Sequence, residues 1–302
     1  MKYFVKYSIA FLGFSILIYF ILIFLWGSVM PLWLNSNLIY KQRGGHLYSR
    51  LSELNKYQNV DVLFLGSSHA YRGFDTRIFK QRGIHSFNLG SSSQAPVQSL
   101  LLLKKYIDNL QPKQIIFEVC PQSLSSDGIE SALDIISNDK IDFQTIKMAI
   151  KLNHIKVYNT LIYSSIRQLL NLDKGFVEAQ RIGKDTYISG GYVQRDNVQF
   201  EYKSPLEKSI NPEQMMAFKE LVNWVKSKDV ELILVQAPVT TIEYNSYDDN
   251  VSFDKLMQDY SRYYNFNALI TLDDSLHFYD PHHLNQLGVE TFNAELIDLL
   301  ID

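Results

Sequence analysis

At 302 residues, with 46% apolar side chains, the chain is long enough to bury a substantial core, in one large domain or two modest ones. A formal net charge of -3 without a basic stripe excludes the usual signature of a nucleic-acid partner. The single cysteine, Cys120, excludes an intramolecular disulfide and a cysteine-rich metal site, and it reads as a small buried residue at a strand end.

Tyr7 to Trp26 is an uninterrupted uncharged run rich in Ile, Leu and Phe. As a helix rising about 1.5 Å per residue it covers about 30 Å, the thickness of a bilayer's hydrocarbon core. Residues 1–28 are therefore expected to form a transmembrane signal anchor. The run exceeds the apolar core of a cleaved signal peptide, and no small-x-small site follows Trp26. Lys2, Lys6 and the amino terminus lie closer to the run than Lys41 and Arg43 do. That asymmetry predicts a cytoplasmic amino terminus and an extracytoplasmic remainder, in the periplasm or at the cell surface. Residues 29–56, with Pro31 and Gly44-Gly45, read as a tether, and Trp26 and Trp33 sit where interfacial aromatics lie.

A globular domain is expected over 57–302. Val62-Leu63-Phe64-Leu65 reads as a buried strand of a parallel sheet and stops at Gly66-Ser67-Ser68-His69. In open α/β sheets chemistry lies beyond the carboxyl ends of the strands, which makes this a place for a nucleophile. Taken alone, Gly-Ser-Ser after a strand reads as an ordinary turn whose hydroxyls cap the next helix. Asp75 is placed to cap a short helix through Ile78 and Phe79, and Ile84 to Gly90 reads as a second strand. Gly90 serves either the turn or the close approach of a substrate oxygen to a backbone N–H. Val97 to Leu110 has helical spacing and is stopped by Pro112, and Gln114 to Cys120 is a third strand.

From about 125 to 210 the pattern changes to a mostly helical insertion. Helices are expected around Ile146–Ile150 and Leu161–Leu170, a turn at Gly190-Gly191, and a short strand from the alternation of Val198, Phe200 and Tyr202. Packed beside the core near a cleft, such an insertion would shape substrate choice. Asn211-Pro212-Glu213 then opens a helix with a capping side chain, a first-turn proline and an acid at the positive end of the dipole. Leu232 to Val235 is the fourth strand, reached by a parallel crossover, and Ala268 to Leu272 a further short one. A final helix buries Val289, Phe292, Leu296 and Leu299. The order predicts a three-layer α/β/α fold around a parallel, flavodoxin-like sheet.

Between the last strand and that helix lies Phe278-Tyr279-Asp280-Pro281-His282-His283-Leu284-Asn285. An Asp and a His three residues apart on a loop can meet a serine in space and complete a triad. The two blocks together resemble the SGNH/GDSL hydrolase superfamily. Ser68 matches the nucleophile, with Ser67 where that family usually has Asp, and Asp280 and His283 match its closing Asp-x-x-His. The tail Asp-Pro-His-His-Leu-Asn-Gln-Leu-Gly resembles the membrane-anchored branch that works on cell-envelope polymers, including proteins of alginate O-acetylation and teichoic-acid D-alanylation. The resemblance covers roughly residues 57–123 and 211–302.

What the resemblance implies is an acyl-ester substrate attacked by Ser68, with His283 as base and Asp280 orienting it. The amides of Ser68 and Gly90 would bind the oxyanion. The family's third block, Gly-x-Asn-Asp, is missing, and of its nearest replacements Gln122 can donate a hydrogen bond whereas an ionised Glu118 cannot. Loss of one such donor costs about a hundredfold or more in rate. Ser67 is the alternative nucleophile and His282 the alternative base. A metal held by His277, Asp280, His282 and His283 lacks regular i, i+4 spacing and leaves Gly-Ser-Ser unexplained, so no metal or cofactor is expected. The resemblance implies a membrane-anchored serine esterase or O-acyltransferase acting on an extracytoplasmic glycan, served by a multi-spanning membrane acyltransferase. A non-catalytic binding module within an envelope-assembly complex is the reading from the other class.

Overall fold

The computed structural model describes residues 1–41, 43–195, 209–247 and 249–301; the strand expected at Val198, Phe200 and Tyr202 lies outside them. Backbone contacts divide the chain into two compact units, Met1–Lys41 with Ala132–Phe176, and Gln42–Ser131 with Val177–Asp302. The expected insertion is thereby divided between the two.

In chain order the strands are β1 (Val62–Leu65), β2 (Ser86–Asn88), β3 (Gln114–Glu118), β4 (Arg181–Ile182), β5 (Asp185–Ile188), β6 (Tyr192–Arg195), β7 (Glu231–Gln236) and β8 (Arg262–Asn265). Five of them form a parallel sheet in the order β2-β1-β3-β7-β8. The chain starts in the middle of this sheet, steps outward to β2 and then returns past β1 to build the other side. The direction of winding reverses between β1 and β3, and in such sheets a crevice opens there beyond the carboxyl ends.

Alternating side chains on the strands explain the layers. Phe64 of β1 meets Phe74 and Phe79 on one face at ring distances of 4.6 and 4.7 Å, and Phe74 in turn meets Phe292 of the Gln286–Ile301 helix at 5.5 Å. On the opposite face Phe117 of β3 lies 6.1 Å from Phe218 of the Pro212–Lys226 helix, which packs beside Pro96–Leu110. Helices thus cover both faces of the sheet, as a fully buried parallel sheet requires. The Asn211 side chain accepts from the Glu213 N–H at 2.9 Å, so the cap read from the sequence forms as expected.

Three local features differ from the expectations. The last strand is Arg262–Asn265, and Ala268 lies instead in a helical turn, Phe266–Leu269. An edge strand needs backbone pairing and only half-burial, so Arg262-Tyr263-Tyr264-Asn265 pairs with Ile233–Gln236 of β7 without an apolar run to announce it. The insertion is not mostly helical throughout: β4, β5 and β6 form an antiparallel sheet whose Gly190 carbonyl accepts from the Asn88 N–H at 2.8 Å, covering the free edge of β2. The segment read as a tether contains a helix, Leu47–Glu53, and a 3-10 turn, Leu54–Lys56. Leu47 and Leu54 are buried, so this stretch packs as part of the globular unit.

In the other unit the Lys2–Val29 helix is long and apolar enough to cross a membrane. Near its end Gly27 lies against the Tyr163 ring, where any Cβ would collide, and the Tyr163 hydroxyl donates to the Gly27 carbonyl at 3.1 Å. Small residues at helix contacts serve this kind of close approach. Phe143–Leu152 and Ile155–Leu169 form a helical hairpin turned by Asn153 in the left-handed region.

Candidate active site

The end of β1 is pressed against the end of β3. Gly66 has φ +139, and a Cβ there would lie 2.8 Å from the Glu118 Cβ and 3.0 Å from its carbonyl oxygen, so both the conformation and the space call for glycine. Ser67 caps the Ser68–Gly73 helix: its Oγ accepts from the His69 N–H at 3.3 Å and donates to Glu118 Oε2 at 2.9 Å. Its own N–H donates to the same carboxylate oxygen at 3.3 Å. The buried Ser67 hydroxyl is therefore used to hold the turn, and the next residue, Ser68, is the one turned to partners across the cleft.

Those partners come from the far end of the chain. His283 Nε2 lies 2.8 Å from Ser68 Oγ, and His283 Nδ1 lies 2.9 Å from each carboxylate oxygen of Asp280. Asp280 Oδ1 also accepts from the N–H groups of His282 and His283, both at 2.9 Å, which fixes the carboxylate before it meets the imidazole. The Pro281 carbonyl accepts from the Thr240 N–H at 3.0 Å and its hydroxyl at 3.1 Å, tying the loop to the chain beyond β7. Tyr279 stacks on His283 with ring centres 5.5 Å apart and planes at 5°. The Arg195 guanidinium sits 5.0 Å from the Tyr279 ring, and Arg72 makes two 2.8 Å bonds to Asp185 of β5.

No protein-family model and no curated protein matches the chain. Among solved structures it is similar to a protein from Bacteroides fragilis provisionally described as an acylhydrolase, at 13% identity and a TM-score of 0.43 over 85% of this chain and 98% of that one. It is also similar to a GDSL-like lipase from Bacteroides thetaiotaomicron, at 11% identity and a TM-score of 0.41 over 85% of this chain and 98% of that one.

With Asp280 ionised, His283 donates from Nδ1 and presents the Nε2 lone pair to the Ser68 hydroxyl, the tautomer a general base needs. Burial pushes His283 down to about 4, more strongly than Asp280 raises it, with His69 and Arg72 acting in the same direction. Burial acts to raise Asp280, but the hydrogen bond from His283 and the backbone donors outweigh it and hold the carboxyl well below its usual range. At neutral pH the pair is thus neutral imidazole beside carboxylate. His69 behaves oppositely: burial acts to lower it, and Glu118 with Cys120 holds it well above the usual histidine range.

The oxyanion donors fare unevenly. The Ser68 N–H has no acceptor among the described residues. Gly90, expected as the second donor, instead gives its N–H to Asn88 Oδ1 at 3.0 Å, because Asn88 is clamped in place by bonds to the carbonyls of Ala70 at 2.8 Å and Phe74 at 3.2 Å. Gln122, expected as the third, donates to Glu243 Oε1 at 2.7 Å. The same amide nitrogen also lies 3.5 Å from His282 Nδ1.

Sequence reasoning left Asn88 and Gln94 without roles, and both turn out to hold the loops that carry the site. Gln94 accepts from the Gly66 N–H at 3.1 Å and donates to the Leu89 carbonyl at 3.1 Å, joining the exits of β1 and β2. A polar residue ending β2 and another in the serine-rich stretch after it were the signal available for them. His282, the alternative base, faces Glu243 at 3.5 Å while His283 occupies the position on Ser68. Of the four loop residues considered as metal ligands, Asp280 and His283 bond to each other, His282 faces Glu243, and His277 Nδ1 accepts from the Asp273 N–H at 2.9 Å. The described side chains that do gather suitable atoms are His69, Glu118 and Cys120, within 4.8 Å of one another, and Ser67 already bonds to the first two of them.

Proposed function

We propose that this chain is a membrane-anchored serine esterase or O-acyltransferase that acts on acyl esters of an extracytoplasmic glycan through an acyl-enzyme on Ser68. The observation that carries the reading is the continuous contact from Ser68 through His283 to Asp280, with hydroxyl, base and orienting carboxylate in sequence.

In this mechanism His283 Nε2 takes the Ser68 proton as Oγ bonds to the ester carbonyl carbon. The Ser68 N–H donates to the resulting oxyanion, and the Gly90 and Gln122 amides join it only by exchanging or sharing Asn88 and Glu243. Collapse breaks the bond to the leaving alcohol, which receives the proton from His283. Water or a glycan hydroxyl then attacks the acyl-enzyme, giving up its proton to the same nitrogen, and the Oγ–acyl bond breaks as His283 returns that proton to Ser68. Which acceptor reacts depends on how far water is kept from the acyl-enzyme. The Lys2–Val29 helix, with the amino terminus, Lys2 and Lys6 at its start, supports an anchor with the site outside the cytoplasm. A chain so placed would draw its acyl groups from a multi-spanning membrane partner.

A second reading, a glycan-binding module with little turnover, is favoured by the two engaged donors. Labelling with a fluorophosphonate separates them: the enzyme is labelled in the wild type and unlabelled in Ser68→Ala, whereas a pure binder is unlabelled in both. Acetyl transfer to added oligosaccharide, compared with release of free acetate, separates transferase from esterase.

A further inference from the structure

We propose that the helical hairpin of Phe143–Leu152 and Ile155–Leu169 is a second membrane contact, with its tip seated in the headgroup and upper acyl region of an anionic bilayer. The inference rests on the reading of Lys2–Val29 as a membrane anchor, and it concerns only the unit that contains both.

The register between the two helices sets the depth of the hairpin. Tyr19 donates to Asn159 Oδ1 at 2.6 Å, and Tyr163 donates to the Gly27 carbonyl at 3.1 Å. Both contacts advance in the same sense, so the start of the Ile155–Leu169 helix points back along the anchor toward its amino end. At about 1.5 Å per residue, Ile155 lies about 6 Å beyond Asn159 and about 12 Å beyond Tyr163 in that direction, so the two contacts place it level with roughly Ser15 to Tyr19 of the anchor. A bilayer that stopped short of the hairpin would contain at most Lys2 to Ile18, about 26 Å of helix, against a hydrocarbon core of about 30 Å. A bilayer thick enough to hold the anchor therefore reaches the hairpin tip.

The surface of the hairpin suits that position. Phe143, Ile146 and Ile150, at helical spacing on one side, are 76%, 39% and 62% exposed, and Ile155 across the turn is 59% exposed. The opposite side, Thr145, Met148 and Ala149, is buried against the unit. Flanking the apolar side are Lys147, Lys151 and Lys156, and from Phe143 to Leu172 the sequence has four Lys or Arg and no Asp or Glu. An apolar side edged by cations is the pattern of a helix lying in the interface, with lysine stems following the acyl boundary and ammonium groups at the phosphates. A protein partner would also cover an apolar side, but the shared depth with the anchor and the one-signed charge favour negatively charged lipid.

The test uses full-length protein in vesicles of phosphatidylcholine and phosphatidylglycerol, with the buried Cys120 replaced by alanine and single cysteines introduced as Leu12→Cys, Ile150→Cys or Asn223→Cys. Each is labelled with an environment-sensitive nitrobenzoxadiazole dye and challenged with a lipid-borne nitroxide quencher or with aqueous iodide. The inference predicts that the labels at 12 and 150 each lose about half their emission to the lipid quencher and little to iodide, the reverse of the label at 223. If the label at 12 is lipid-quenched while that at 150 yields to iodide alone, the hairpin inference is overturned and the anchor stands. If neither is lipid-quenched, the anchor reading falls and the inference with it.

Discussion

Replacing Asp280 with asparagine is a sharper test of the triad than deleting it, because the structure dictates how the amide must sit. Asp280 Oδ1 accepts two backbone N–H groups, from His282 and His283, at 2.9 Å each. An asparagine oxygen must take that place, since an NH2 group facing two N–H donors would leave all of them unpaired, at about 1–3 kcal/mol for each buried group. The NH2 is then set beside His283 Nδ1, and because a ring N–H there is repelled by that NH2 even as it reaches the retained oxygen, also 2.9 Å away, the tautomer with the proton on Nε2 is favoured. Nε2 is the atom 2.8 Å from Ser68 Oγ, so the base arrives already protonated and cannot take the serine proton. The expected loss in kcat is about ten-thousandfold, or about 5.5 kcal/mol at 1.36 kcal/mol per tenfold. Hydrolysis of p-nitrophenyl acetate, with thermal unfolding followed in parallel, measures it. Asp280→Ala removes the acceptor of both backbone donors without imposing a tautomer, so it should destabilise the loop more and slow the reaction less. Asparagine activity within tenfold of wild type would refute this account of His283.

Activity should rise as pH climbs through about 4 and then stay level through neutrality, because the base must be unprotonated and His283 is held down near that value. A limb centred near the ordinary histidine value of about 6.5 would contradict it. The same shift makes the unfolded chain the stronger proton binder between about 4 and 6.5, so that the His283 contribution to stability falls as pH is lowered through that window, as denaturant titrations at several pH values would register. Ser67→Ala removes the cap of the Ser68–Gly73 helix and should lower stability by about 1–2 kcal/mol while Ser68 still takes a fluorophosphonate. Loss of labelling in that variant with the fold intact would move the nucleophile to Ser67. Gly66→Ala drives a methyl to within 2.8 Å of Glu118 and should cost about 1–3 kcal/mol, read as a lower urea midpoint. An unchanged midpoint would show that β1 and β3 separate easily at their ends.

What the sequence disclosed and what it hid follow from how locally each feature is determined. The Lys2–Val29 helix is visible as an apolar run long enough to cross a membrane, β1 because burial demands apolar residues, and Asn211 because a cap acts on the residues beside it. The parallel sheet follows from strands alternating with helices. β8 and the β4–β6 sheet stayed hidden because their strands are short or polar and are fixed by backbone partners, not by apolar side chains. The pairing of the first helix with Tyr163, at a sequence separation of 136, leaves no local trace. At the site, a meeting of Ser68, Asp280 and His283 was expected from residue type and spacing, and the structure brings the three side chains together. The engagement of Gly90 by Asn88 was not, because Asn88 is set in turn by carbonyls 14 and 18 residues away.

The most direct test of the central claim is to expose the full-length protein to an activated acetyl ester, quench in acid, and locate the adduct by peptide mass spectrometry. The account predicts one acetyl group on Ser68, trapped in wild type and absent from Ser68→Ala and His283→Ala. An adduct on Ser67 or Cys120, or none at any exposure, would contradict it.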